Sequence, residues 1–117
     1  MSAPVSTANA LKHYEWAAGC EGWNFVDSEA LSVKQERMAG ATSEALHYHQ
    51  KAQQFFFILK GTAHFEVEGE TIEVRDGEGL HIEAGKKHKI MNKEVEALEF
   101  ILCSQPSTAN DRINCDE

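Results

Sequence analysis

The segment HFEVEGETIEV constrains the fold most. Ala63, Phe65 and Val67 alternate with His64, Glu66 and Glu68, the turn Glu68-Gly69-Glu70 follows, and Ile72 and Val74 resume the apolar face. Period-two alternation on both sides of a glycine turn is the signature of a β-hairpin. The same pattern recurs in short runs: Trp23–Asp27, Leu31–Met38, Ala45–His49, Gln54–Lys60, Thr62–Glu68, Glu70–Arg75, Gly79–Ile82, His88–Asn92 and Val95–Cys103. Many short strands divided by glycine and charged turns predict an all-β, antiparallel sandwich or barrel rather than alternating strands and helices. Asn9–Trp16 reads as a short helix. The polar tail from Ser104, which contains Pro106, is expected to leave the sheet. The expected organisation is an N-terminal segment over 1–22 packing on the barrel, a β-domain over 23–103 and a tail over 104–117.

At 117 residues the chain fits one domain. Its net charge of −8, from 19 acidic and 11 basic residues, opposes a nucleic-acid backbone. No apolar run nears the roughly 18 residues of a membrane span. The N-terminus shows no basic stretch leading into an apolar one, so no signal peptide is expected. Three cysteines, Cys20, Cys103 and Cys115, are an odd number without metal-type spacing, and suit a reducing cytoplasm. Nucleic-acid and membrane partners are therefore not expected.

Chemistry concentrates in the histidines. His47 and His49 are two apart, and on a strand they share one face. Two neighbouring imidazoles form one edge of a transition-metal site. Gln54-FFFILK-Gly61 follows, and Gly77-EGLHI-Glu83-Ala84-Gly85-KK-His88-KIM-Asn92 lies downstream.

These two stretches resemble the paired motifs of the cupin superfamily. In the first, His47 and His49 match, Gly40 stands one residue further off than the strict pattern, and Gln54 occupies the position usually held by glutamate. The spacing also admits Gln53, but Gly61 and the strand alternation select Gln54. In the second, Gly77, Gly85, His88 and Asn92 fall in register, with Glu83 in place of proline. The resemblance spans about Leu31–Cys103. It implies an antiparallel, jelly-roll-like β-barrel (an RmlC-like cupin). It also implies one divalent transition metal per chain (Zn, Ni, Fe or Mn) held by His47, His49, Gln54 and His88. Alternation agrees for His88: Ile90 and Asn92 share its face, whereas Lys87 and Lys89 do not and would be costly to bury. A neutral glutamine in place of glutamate leaves the ion a stronger Lewis acid and removes a general base.

Beyond the ligands, Leu31, Val33, Gln35 and Arg37 share a face, so Gln35 and Arg37 are candidates for substrate binding, Arg37 through a bidentate grip on a carboxylate or phosphate. Glu99 would enter the interior only if the last strand slipped by one residue. His64 and His81 are expected to point outward, and His13 lies on an uncertain segment. Phe55, Phe56 and Phe57 cannot all share one face, and an apolar outer face at Phe55 and Phe57 suits a homodimer.

The resemblance leaves three functions open. One is a Lewis-acid metalloenzyme, an isomerase, ring-opening enzyme or lyase acting on a sugar- or keto-acid-like small molecule. The second is a non-heme iron dioxygenase. The third is a non-catalytic module that binds or senses a small ligand. No catalytic residue is assigned from sequence.

Overall fold

Among the described residues, 3–115, every regular element of the computed structural model is a β-strand. The first and last two residues of the N- and C-terminal segments lie outside that range. In chain order the strands are β1 (Lys12–Ala17), β2 (Cys20–Asp27), β3 (Ser32–Met38), β4 (Thr42–Ser43), β5 (His47–Tyr48), β6 (Gln53–Lys60), β7 (Thr62–Val67), β8 (Glu70–Arg75), β9 (Gly79–Ile82), β10 (His88–Asn92), β11 (Leu98–Gln105) and β12 (Ile113–Asn114). They form two antiparallel sheets. One runs β1-β2-β3-β11-β6-β9; the other runs β12-β5-β10-β7-β8, with β4 paired to β10. The result is a jelly-roll-like sandwich of two sheets, not a barrel closed by a continuous ladder.

Apolar residues of both sheets meet in the interior. Phe56 and Ile58 (β6), Ala63 and Phe65 (β7), Val74, Ile82, Ile90, Leu98 and Phe100 form the buried core with Met38 and Cys20. Phe56 packs edge-on against Phe65, 5.0 Å between centroids, and tilted against Phe100 at 5.6 Å. Truncating such a phenylalanine to alanine costs about 3–5 kcal/mol. Glycine is required where backbones meet closely: a Cβ on Gly40 would lie 2.3 Å from the Val95 carbonyl oxygen.

Three expectations are corrected. Asn9–Trp16 is not a helix, because Lys12–Ala17 pairs with β2 from Lys12↔Asn24 to Ala17↔Cys20. Tyr14 and Trp16 are two residues apart. A helix would point them about 200° apart, whereas a strand puts both on one face, and both line the internal cavity.

The tail leaves the first sheet only after Gln105 and then joins the second. β11 continues to Gln105, and after Pro106 the chain returns so that β12 pairs with β5, Ile113 opposite Tyr48 and Asn114 opposite His47. The two-residue strand β5 thereby gains a partner on its otherwise open edge.

The inward face of β3 is also the opposite of the one expected. Ser32 and Met38 are buried, and Lys34 and Glu36 between them line the cavity. Val33 and Gln35 instead face outward, opposite Cys103 and Ile101. Val33 is apolar because this outer face is itself apolar.

Candidate metal centre

Four side chains from three parts of the chain meet inside the sandwich. His47 on β5 lies directly opposite His88 on β10. His49 follows β5 by one residue, and Gln54 stands on β6 in the facing sheet. Their exposures are 3% for His47, 4% for His49, 5% for Gln54 and 1% for His88, so water does not compete freely for their nitrogens. Imidazole centroids lie 5.0 Å (His47–His49), 4.4 Å (His47–His88) and 5.6 Å (His49–His88) apart. One nitrogen from each histidine lies within 4.8 Å of the others. Gln53 faces outward, to Gln105 and His81, so alternation along β6 separates the two glutamines.

The rings are oriented from behind. Each Nδ1 stands 2.8 Å from a backbone carbonyl: Ala45 for His47, Asp111 for His49 and Lys86 for His88. Donation from Nδ1–H to a carbonyl fixes the tautomer with Nε2 as a lone pair directed inward, the arrangement typical of metal-binding histidines. His49 Nε2 is buried with no partner among the described residues. His88 Nε2 lies 3.1 Å from Gln54 Oε1, while the Gln54 amide N–H donates to Ser104 Oγ at 3.0 Å. A cation shared between these two acceptors would satisfy both, as would the Gln54 amide turned so that its N–H donates to His88 and its oxygen accepts from Ser104. The donor set thus fits a transition ion with nitrogen ligands and one neutral oxygen, and does not suit calcium, which takes an all-oxygen shell.

Electrostatics agree. Burial pushes the His47 imidazole down to about 3 and lowers His49 and His88 below their ordinary value. All three are therefore neutral at pH 7, the form that binds a metal. The remaining motif residues are structural. Asn92, 1% exposed, donates to the Met38, Ala39 and Glu96 carbonyls and accepts from the Glu94 N–H, tying β10 to the end of β3. Gly85 has φ +85°, and its N–H donates to the His49 carbonyl at 2.7 Å, joining the two motifs.

A cavity of about 250 Å³ opens in front of His47, His49 and Gln54. Its walls carry Tyr14, Trp16, Lys34, Glu36, Glu44 and Arg112, none of them singled out from the sequence. The Tyr14 hydroxyl donates to Glu36 Oε2 at 2.6 Å, and the Ile90 N–H donates to Glu44 Oε1 at 3.1 Å. Burial raises both carboxyls, Glu44 to about 8. Gln35 and Arg37 are not among the lining residues. Gln35 lies opposite Trp23 and Ile101, and Arg37 Nη1 lies 3.9 Å from Glu21. Glu99 also faces away from the interior, between buried Leu98 and Phe100.

The other histidines stand apart from the cluster. His13 stacks on Trp23, and His81 is exposed. His64 faces outward beside Glu73, although its side chain is only 15% exposed.

A curated relative from Bacillus subtilis, "Uncharacterized HTH-type transcriptional regulator YdeC", is 47% identical over 56 residues, covering 48% of this chain and 19% of the relative. The chain thus spans about a fifth of that protein's length. Among solved structures, the polyketide cyclase RemF from Streptomyces resistomycificus superposes with a TM-score of 0.79 at 17% identity, covering 100% of this chain and 87% of that one. A predicted oxalate decarboxylase from Thermotoga maritima gives 0.78 at 18%, covering 90% and 100%. Identities this low establish the fold alone. The family model described as "Cupin domain" matches residues 34–104, more than half of the sequence, and the chain therefore belongs to the cupin family.

Proposed function

We propose that this cupin holds one divalent transition metal on His47, His49, Gln54 and His88. We further propose that it acts as a Lewis-acid enzyme of isomerase, ring-opening or lyase type on a sugar- or keto-acid-like molecule. The observation that carries this reading is the set of three neutral imidazoles, each pinned at Nδ1, gathered within 4.8 Å, two of them, His47 and His49, on the wall of a cavity. Bound there, the metal would polarise a ligand oxygen. The protein's own groups would supply the rest: Gln54 adds no charge, and Tyr14, Glu36 and Glu44 bring hydroxyl and carboxyl groups to the same cavity. The test is to load the protein with Zn, Ni, Mn or Fe(II) and screen it by NMR against sugar acids and keto acids. Turnover that a chelator abolishes supports the reading, and none with any loaded form counts against it.

One observation favours a second reading, a ligand-sensing module. The relative from Bacillus subtilis carries the name of a transcriptional regulator. Saturable ligand binding without turnover would favour it.

We also propose a homodimer through the outer face of the β1-β2-β3-β11-β6-β9 sheet. Phe55, Phe57 and Leu59 are 42%, 38% and 44% exposed there, and Ile101 and Cys103 lie opposite Phe57 and Phe55. A second copy would cover this stripe. The free thiols Cys20, Cys103 and Cys115 support a cytoplasmic setting. No helix among the described residues is long and apolar enough to cross a membrane.

A further inference from the structure

Two residues that line the cavity each carry a buried polar atom with no hydrogen-bond partner among the described residues, His49 Nε2 and Trp16 Nε1. The first belongs to the candidate metal centre. The second is an indole N–H, which can only donate. A buried donor without an acceptor calls for a ligand or ordered water at that spot. The cations on the same wall are Lys34 and Arg112. Lys34 Nζ stands 5.7 Å from the centre of the Tyr14 ring. Arg112 donates from Nε to Asn114 at 2.9 Å and holds Nη1 3.9 Å from Glu44, which leaves further guanidinium N–H groups for a ligand.

The acidic groups of the cavity are already engaged. Glu36 accepts from Tyr14, and Glu44 accepts from the Ile90 N–H. Burial favours the neutral form of both. The wall therefore has donors and positive charge to offer, and a fitting ligand brings acceptors and negative charge. At about 250 Å³ the cavity lies just below the roughly 300–1,000 Å³ usual for small-molecule sites, which restricts the ligand to a small one.

We propose that Trp16, Lys34 and Arg112 form a carboxylate subsite. The ligand is then a small hydroxy- or keto-carboxylic acid, its carboxylate on these three residues and its neighbouring oxygens toward His47, His49 and Gln54. This deepens the function proposed above and rests on it for the metal end of the ligand. The carboxylate end stands on its own residues.

The test uses the full chain with Trp23→Phe, which leaves Trp16 as the one tryptophan. Trp23 lies outside the cavity, stacked on His13. Galacturonate and galactose differ only in the carboxylate, as glycolate and glycolamide differ in charge, and each is titrated into Co(II)-loaded protein and apoprotein. Expected are saturable Trp16 quenching by the acids and binding about tenfold weaker for the neutral partners. In the protein with Trp23 intact, Lys34→Gln and Trp16→Phe should each weaken galacturonate several-fold, read by Co(II) absorption, and leave Co(II) affinity unchanged. Lys34→Arg should restore most of the binding. Equal affinity for acid and neutral partner, or galacturonate affinity unmoved by both Lys34→Gln and Trp16→Phe, overturns the subsite. Failure to hold Co(II) overturns the metal reading instead, and the apoprotein titration still decides the subsite.

Discussion

His49 places its Nδ1 2.8 Å from the backbone carbonyl of Asp111, a residue 62 positions further along the chain. The Asp111 carboxylate in turn accepts the N–H groups of Gln50, Lys51 and Ala52 at 2.9, 3.0 and 3.0 Å. Burial works to raise this carboxyl, but the three backbone donors outweigh it and hold it below its ordinary value. The C-terminal segment thus clasps the loop between His49 and Gln54 and orients one of the imidazoles.

Asp111→Ala removes the clasp without touching a candidate ligand. Metal affinity should fall by about 10–100-fold, the usual effect of losing support behind a ligand. Asp111→Asn, which keeps a carbonyl acceptor, should lose less. Competitive titration with a chromogenic chelator measures both.

Gln54 is tested by exchange. Gln54→Glu adds a negative charge beside the ion and should tighten metal retention while lowering its Lewis acidity, so turnover should fall. Gln54→Ala should release metal on dialysis. Gln53→Ala should do neither, because Gln53 faces outward to Gln105 and His81. Metal content and activity of the three variants check this.

Glu44 gives a pH signature. Its carboxyl is raised from 4.5 to about 8, chiefly by burial. The folded state therefore binds more protons than the unfolded state within that window. This contribution to stability is complete below pH 4.5 and is lost as pH rises through about 8. Glu44→Gln removes the loss, so its stability advantage over wild type should grow between those limits, by at most about 1.4 kcal/mol per pH unit. His47 works in the opposite direction. Its folded value of about 3 lies below the ordinary 6.5, so its contribution is present above 6.5 and is lost as pH falls toward 3. Urea unfolding of chelator-treated protein across pH measures both limbs, and a difference between Glu44→Gln and wild type that does not change with pH would sink the first.

The motif histidines and Gln54 were legible because both constraints on them are local. The resemblance to the paired cupin motifs supplies the register through Gly77, Gly85, His88 and Asn92, and period two agrees on the face. The cavity wall was not legible. At the start of β3 the apolar residues Leu31 and Val33 suggest the inward face, yet the outer face of that sheet is also apolar, with Phe55, Phe57 and Ile101 on it. Alternation gives the period but not the sign when both faces are apolar, so Lys34 and Glu36 were passed over for Gln35 and Arg37. Trp16 and Arg112 were missed for another reason. They reach the site through the pairing of β1 with β2 and of β12 with β5. The second of these joins residues more than sixty positions apart, and the first turns on the short Ala18-Gly19 link, with Gly19 at φ +75°.

Phe57→Asp tests the outer face. A charge in the apolar stripe should convert a dimer into a monomer in sedimentation velocity and leave the β-type circular dichroism spectrum unchanged. A wild-type protein that is monomeric at tens of micromolar would contradict the dimer.

The most direct measurement is metal stoichiometry. The protein is stripped with chelator, reloaded separately with Zn, Ni, Mn and anaerobic Fe(II), and analysed for metal per chain beside His47→Ala and His88→Ala. One divalent ion per wild-type chain, with a raised Tm that the chelator reverses and that both variants lose, is the expected result. No retained ion with any of the four metals, or retention by both variants equal to that of wild type, would contradict a metal centre on His47, His49, Gln54 and His88.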